Sequence, residues 1–95
     1  MAVYYTKVAE QALQEIAAYT LEEWGPAQCE RYMALLEVAC EEWVPASATL
    51  ARTVPQRPEL RMLRCERHMI YFRLVDDGYE VVHVLHERML PRKHL

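Results

Sequence analysis

The side chains able to do chemistry in this chain are mainly arginines and histidines, and they gather in its second half. Residues 1–51 hold Lys7 and Arg31 against eight acidic side chains. Residues 52–95 hold nine basic ones (Arg52, Arg57, Arg61, Arg64, Arg67, Arg73, Arg88, Arg92 and Lys93) against six acidic ones. The formal net charge of −3 therefore divides into −6 and +3. A guanidinium is a planar fork that matches phosphate and carboxylate alike, so the second half points to an anionic partner. The same residues would equally suit a solvated sheet edge, where charge discourages aggregation. His86, closing the apolar run VVHVL, has the side chain whose unperturbed proton exchange lies nearest neutrality. It would also serve as a strand-end residue bonded to backbone or to a carboxylate. His83 reads as packed on a sheet, His68 as a turn residue and His94 as a tail residue. Their scatter forms no metal constellation.

Other chemistries find no support. A phosphate-cradling loop needs several glycines, and the chain has only Gly25 and Gly78. Ser47 is the sole serine, and no lysine stands between Lys7 and Lys93. Cys29, Cys40 and Cys65 are odd in number and lack the paired spacing of a zinc site, so they read as small buried hydrophobes in a reducing compartment. No apolar run approaches the roughly 20 residues that span a bilayer. The start, MAVYYTKVAEQAL, lacks the basic leader and greasy stretch of an export signal. These features lead us to expect a cytoplasmic protein without cofactor or metal. Its 95 residues suit one domain, residues 1–95, with one marginally stable core.

The elements that must position these groups follow from periodicity. Val3 to Thr6 are β-branched or aromatic and predict a first strand. From Lys7 to Trp24, Ala9, Leu13, Ile16, Ala17, Thr20 and Trp24 recur at helical spacing, with glutamates opposite. Gly25–Pro26 ends this helix and starts another. That second helix, about 26–43, carries Cys29, Tyr32, Met33, Leu36, Ala39, Cys40 and Trp43 on one face. So short a connection predicts an antiparallel helical hairpin. Residues 44–59, with Pro45, Pro55 and Pro58, predict a loop. Strands are expected at 60–66, 68–75 and 79–86, the last two joined through the Asp76–Asp77–Gly78 turn. VVHVL is apolar on both faces, which suits an interior strand. The tail, ERMLPRKHL, is basic and broken by Pro91. The predicted order is β-α-α-β-β-β. This is an α+β fold in which an N-terminal strand and an antiparallel helical hairpin pack on a small antiparallel sheet. The aromatic side chains mostly fall at core spacing, with Tyr19 and Trp43 the exceptions that suit a partner groove.

This order, the stretch AAYTLEEWGPAQ between the helices, the run LRMLRCERHMIYFRL and the ending VVHVLHERMLPRKHL together resemble ParE toxins of the ParE/RelE family. The similarity covers essentially the whole chain and is sharpest in the tail: Leu85–His86, Arg88–Met89, then His94–Leu95. The resemblance implies a RelE/ParE-like fold and a toxin held inactive by a ParD-like antitoxin. It implies DNA gyrase as the target, bound rather than chemically altered, and operator DNA contacted only through the antitoxin.

RelE relatives instead cut messenger RNA on the ribosome, which needs an acid, a base and cations for the phosphate. In this chain those parts would be His86 with Arg64, Arg67 and Arg73. Beyond the last strand, where such relatives commonly carry a catalytic His or Tyr, the sequence reads Glu87, Arg88, Met89, Leu90. A third possibility is an inactive relative that only binds antitoxin and co-represses its operon. The antitoxin's acidic and apolar C-terminal segment is expected to dock on the exposed groove of the helical hairpin and on the arginine-bearing sheet, with Arg64 and Arg73 as charged anchors and Trp43 and Leu50 beside the loop as apolar contacts. For the target they are Arg88, Met89, Arg92 and Lys93.

Overall fold

Strand β1 (Ala2–Tyr5) leads into helix α1 (Lys7–Trp24) in the computed structural model, which describes residues 2–95. Thr6 makes the corner. Its Oγ1 accepts the Ala9 N–H at 3.0 Å, satisfying a donor that the first helical turn leaves free. The same hydroxyl donates to the Val82 carbonyl at 2.8 Å, which fastens the start of α1 to the sheet. Gly25 then takes φ +86° and ψ 173°, a conformation reserved for glycine, and its N–H closes α1 on the Leu21 carbonyl. Pro26 opens α2 (Pro26–Val38), as its preset φ favours.

The second helix runs on as expected, but through one wider π turn, Ala39–Trp43, and then a short helix α3 (Val44–Ser47) with Pro45 in its first turn. Residues 44–59 are therefore not a plain loop. Besides α3 they contain strand β2 (Arg52–Val54), and strand β3 (Arg57–Cys65) begins before Leu60. Pro55 lies in the turn between these strands, where Gln56 adopts φ 69°, and Pro58 is the second residue of β3. Prolines placed at an edge interrupt few ladder bonds, so they do not prevent pairing there. Strands β4 (His68–Val75) and β5 (Gly78–His86) complete the meander.

The sheet order is β1-β5-β4-β3-β2. All pairs are antiparallel except β1–β5, which is parallel. The sheet is thus mixed and five-stranded, larger than expected by β2, and β5 is interior as its composition required. Gly78 lies against β1, where any Cβ would run into the Ala2 carbonyl. One face of the sheet meets the helices through Cys65, Ile70, Phe72, Val81 and Val84, packed on Ala9, Ala12, Leu36, Ala39, Cys40 and Val44. The outer face has a smaller cluster, Val54, Leu60, Tyr71 and Leu85, with Met62, Met69, Val82 and Leu95 at its border. Cys40 and Cys65 are buried and Cys29 half-buried, all as free thiols. Burial pushes the Cys40 thiol up to about 12, in keeping with a packing role.

Candidate functional site

Strand alternation divides the arginines by face. Arg64 lies between Leu63 and Cys65, which face the helices, so it points outward with Met62 and Leu60. Arg73 and Glu80 lie on that outer face too, and pair at 2.8 Å. At the other end Arg64 donates to Glu87 at 2.8 Å and to the Glu66 carbonyl at 3.1 Å, and Arg67 reaches Glu87 at 3.5 Å. The Arg64 guanidinium holds the Glu87 carboxyl below the usual carboxylate range. Arg64 pairs across the strands with Met69, whereas Arg73 pairs with Glu80, so the two arginines stand at opposite ends of the outer face with Met69 and Tyr71 between them. Trp43 and Leu50 are exposed near the end of the helical layer, Leu50 by 85%.

His86 belongs to the other side. It faces the helices and shares a cleft of about 410 Å³ with Tyr19, Trp24, Tyr32, Arg67, His68 and Arg88. Of the arginines expected beside His86, the structure brings only Arg67 into this cleft. Arg64 and Arg73 are not there. His68, expected in a turn, stands on β4 and forms the core of the cluster. Its Nδ1 is 2.6 Å from the Tyr32 hydroxyl. The Arg67 backbone N–H donates to that same hydroxyl at 3.2 Å, so the Tyr32 oxygen links the β3–β4 turn to the His68 ring. The His68 and His86 rings meet edge to face at 5.4 Å, and His86 Nδ1 accepts the Arg88 N–H at 3.2 Å. Nδ1 of each imidazole is thus engaged, with the Tyr32 hydroxyl in one and the Arg88 N–H in the other. No periodicity could have joined Tyr32 on α2 to His68; only the fold does so.

Two aromatic expectations change. Trp24 is 69% exposed and forms a wall of the cleft instead of ending the α1 core stripe. Tyr4 is also largely exposed and donates to Asp77 at 2.6 Å. The tail turns helical at α4 (Pro91–His94), with Pro91 in its first turn, and Leu95 packs back on the outer cluster. Arg92 and Lys93 lie exposed on α4, Met89 is 39% exposed, and Arg88 lines the cleft. No group of histidine, cysteine and acidic side chains suited to a metal occurs among the described residues, and no helix among them is long and apolar enough to cross a membrane.

The buried imidazole has a measurable consequence. Burial, aided by His86, lowers His68 from 6.5 to about 4, with Glu87 opposing. The unfolded chain therefore binds more protons than the folded one between pH 6.5 and 4, and stability should fall as pH drops through that window. For this half-buried ring we expect about 1–2 kcal/mol. Urea unfolding at pH 7 and 4.5 should show His68→Gln lacking that part of the acid loss; an identical acid loss in the variant would refute the assignment.

With the geometry in hand, the chain matches the family model described as ParE toxin of type II toxin–antitoxin system, parDE, over residues 3–91. It is 38% identical over 85 residues to Toxin ParE of Escherichia coli, covering 88% of this chain and 82% of the relative. It is 35% identical over 89 residues to Toxin ParE1 of Mycobacterium tuberculosis, covering 90% of each. Among solved structures, a chromosomal ParDE toxin–antitoxin system from P. aeruginosa superposes with a TM-score of 0.72 at 18% identity, covering 90% of this chain and 95% of the other. The toxin–antitoxin complex RelBE2 from Mycobacterium tuberculosis superposes with a TM-score of 0.62 at 16% identity, with the same coverage. At those identities the superpositions establish the fold.

Proposed function

The chain belongs to the ParE toxin family of type II toxin–antitoxin systems, and from that premise we propose that it poisons DNA gyrase by binding and is neutralised by a ParD-like antitoxin in the cytoplasm. Family membership over nearly the whole chain carries this reading. The antitoxin docks on the outer sheet face through Arg64 and Arg73, with Trp43 and Leu50 as apolar contacts. Gyrase meets Arg88, Met89, Arg92 and Lys93. Operator DNA is reached only through the antitoxin. The dispersal of the groups that RNA cleavage would need supports binding over catalysis: Arg73 lies far from His86, Arg64 is engaged by Glu87, and His86 Nδ1 is occupied.

One observation favours the ribonuclease reading, namely that Arg67 and His86 share a cleft. Inducing the chain alone and assaying chromosomal DNA breaks beside transcript cleavage separates the two. We expect DNA breaks, and growth inhibition largely retained in His86→Ala. A general acid or base contributes about 10²–10⁴-fold, so a folded His86→Ala protein without toxicity, in cells whose transcripts stay intact, would establish the ribonuclease. If neither breaks nor cleavage occur while antitoxin still binds, the chain is an inactive relative that only co-represses.

A further inference from the structure

Two large aromatic side chains of α1 stay out in solvent: Tyr19 is 64% exposed and Trp24 69%. Single exposed apolar residues are ordinary. These two, however, border one concavity, the cleft of about 410 Å³ that also holds His68 and His86. That volume lies within the roughly 300–1,000 Å³ of sites that take a small organic ligand. Helices supply one side of the cleft and strand ends the other. Tyr19 and Trp24 come from the last turns of α1, and Gln28 and Tyr32, one turn apart, share a face of α2. Arg67 comes from the turn before β4, and Arg88 from the residues after β5. The floor is already satisfied, because the Tyr32 hydroxyl engages both His68 and the Arg67 N–H.

The polar groups left over are donors. Gln28 Oε1 accepts from Arg31 Nε at 3.2 Å and from Nη2 at 3.0 Å, so what its amide offers a ligand is the NH2. Arg88 makes no ion pair among the described residues. Arg67 is held only by Glu87 at 3.5 Å, a carboxylate already taken by Arg64 at 2.8 Å. Among the described residues no acidic side chain lines the cleft. The groove that continues from it along α1 differs, since Glu15 stands in its wall one turn before Tyr19. An anion is therefore drawn to Arg67 and Arg88 and repelled from the groove. A ligand that uses both sides needs an anionic group for the guanidinium forks, which match phosphate at two points. It also needs a flat aromatic body, with acceptors at its edge, for Trp24, Tyr19 and Gln28. A nucleotide combines these parts. We propose that the cleft binds a single nucleotide, its base against Trp24 and Tyr19 and its phosphate on Arg67 and Arg88. The same chemistry is offered by a free nucleotide and by the phosphorylated end of a strand. The proposal concerns binding alone and depends on neither the gyrase nor the antitoxin assignment.

The probe is adenosine 5′-monophosphate, titrated into the Trp43→Phe chain, in which Trp24 is the remaining tryptophan. Stacking should quench its emission. In the isotopically labelled parent the largest shifts should fall on the Trp24 indole, the Gln28 side-chain amide and the Arg67 and Arg88 Nε–H groups. Adenosine and inorganic phosphate should each bind at least about 10-fold more weakly than the nucleotide, since each keeps only part of the contacts. Trp24→Ala should weaken binding about 10-fold and Trp24→Phe should restore most of it. Arg67→Gln with Arg88→Gln should weaken it by a similar factor and remove its salt dependence. These changes leave the fold alone, because Trp24 is exposed and the backbone N–H groups that bond Tyr32 and His86 remain. Inorganic phosphate binding as tightly as the nucleotide would overturn the proposal, as would shifts centred on Arg64 and Arg73. A 5′-phosphorylated oligonucleotide that binds more tightly than the monophosphate assigns the cleft to strand ends, and equal or weaker binding assigns it to the free nucleotide. Equal affinity for the same strand without its phosphate would overturn the role given to the two arginines.

Discussion

Replacing Arg64 and Arg73 together with alanine is expected to weaken antitoxin binding by about 10³-fold while leaving the fold intact. The estimate rests on interface hot spots, where truncating a desolvated arginine costs about 2–4 kcal/mol, and on the separation of these two, which favours additive effects. Their setting suits the role. Each guanidinium is anchored at one side by a carboxylate, Glu87 or Glu80, at 2.8 Å and remains about half exposed. A fork already held in place loses less rotamer entropy when a second carboxylate arrives. Between them Met69 and Tyr71 offer the apolar middle of the outer face. An acidic and apolar antitoxin segment crossing that face would meet a cation at each end. Stability should change little, because both ion pairs are exposed and such pairs contribute roughly 0–1 kcal/mol. Calorimetric titration with the antitoxin, alongside urea unfolding, measures both quantities. Undiminished affinity in the folded double variant would remove the outer face as the docking surface and leave Trp43 and Leu50 as the only contacts proposed here.

Much of this architecture can be read from residue spacing, and the parts that cannot have identifiable reasons. The helical hairpin is legible because Gly25–Pro26 punctuates two runs of period near 3.6. The hairpin between β4 and β5 is legible because Asp77–Gly78 separates two β-rich runs. Strand β2 is not, since Arg52–Thr53–Val54 is too short for any alternation and prolines surround it. Its pairing with Arg57–Met62 is a tertiary gain that local propensity does not report. The π turn at Ala39–Trp43 is equally silent, because one wider turn shifts the helical period too little to see. The site divides the same way. Arginine enrichment marks the second half of the chain, but alternation alone cannot say that Arg67 and Arg88 meet Tyr32 and Trp24 on the helical side. That meeting depends on how the helices close over this end of the sheet and on the register Cys65↔His68, which sets His68 in the cleft. His68 shows the limit most clearly. A histidine beside a two-residue turn reads as a surface residue, and only the fold, which brings the Tyr32 hydroxyl from α2 to its Nδ1, makes it a half-buried ring.

The tail should matter to the target more than to the antitoxin. Arg92 and Lys93 project from α4 into solvent, make no ion pair among the described residues and lie in a segment that Pro91 keeps out of the sheet. Charges so placed add little to stability, so their purpose is better sought in a partner. Leu95 differs, because it packs on the cluster of Val54, Leu60, Tyr71 and Leu85. Deleting Leu90 to Leu95 therefore removes two things at once, the cations and an apolar contact worth about 1–2 kcal/mol. The truncation alone cannot tell a damaged core from a lost binding surface. Arg92→Gln with Lys93→Gln separates them, since it keeps α4 and Leu95. We expect that double variant to unfold at the same urea concentration as the parent and to bind antitoxin equally well. Inhibition of gyrase supercoiling should drop about 10- to 100-fold, as when interface cations are removed. The truncation should lose at least as much inhibition and also unfold at lower urea. If the glutamine variant inhibits gyrase like the parent, the tail is no target surface and Leu95 is its purpose. If it loses antitoxin binding in step with inhibition, the cations serve both partners, and the division of surfaces proposed here fails. The two arms need only one purified pair of proteins, because each reads a different consequence of the same helical turn: charge through gyrase, packing through urea.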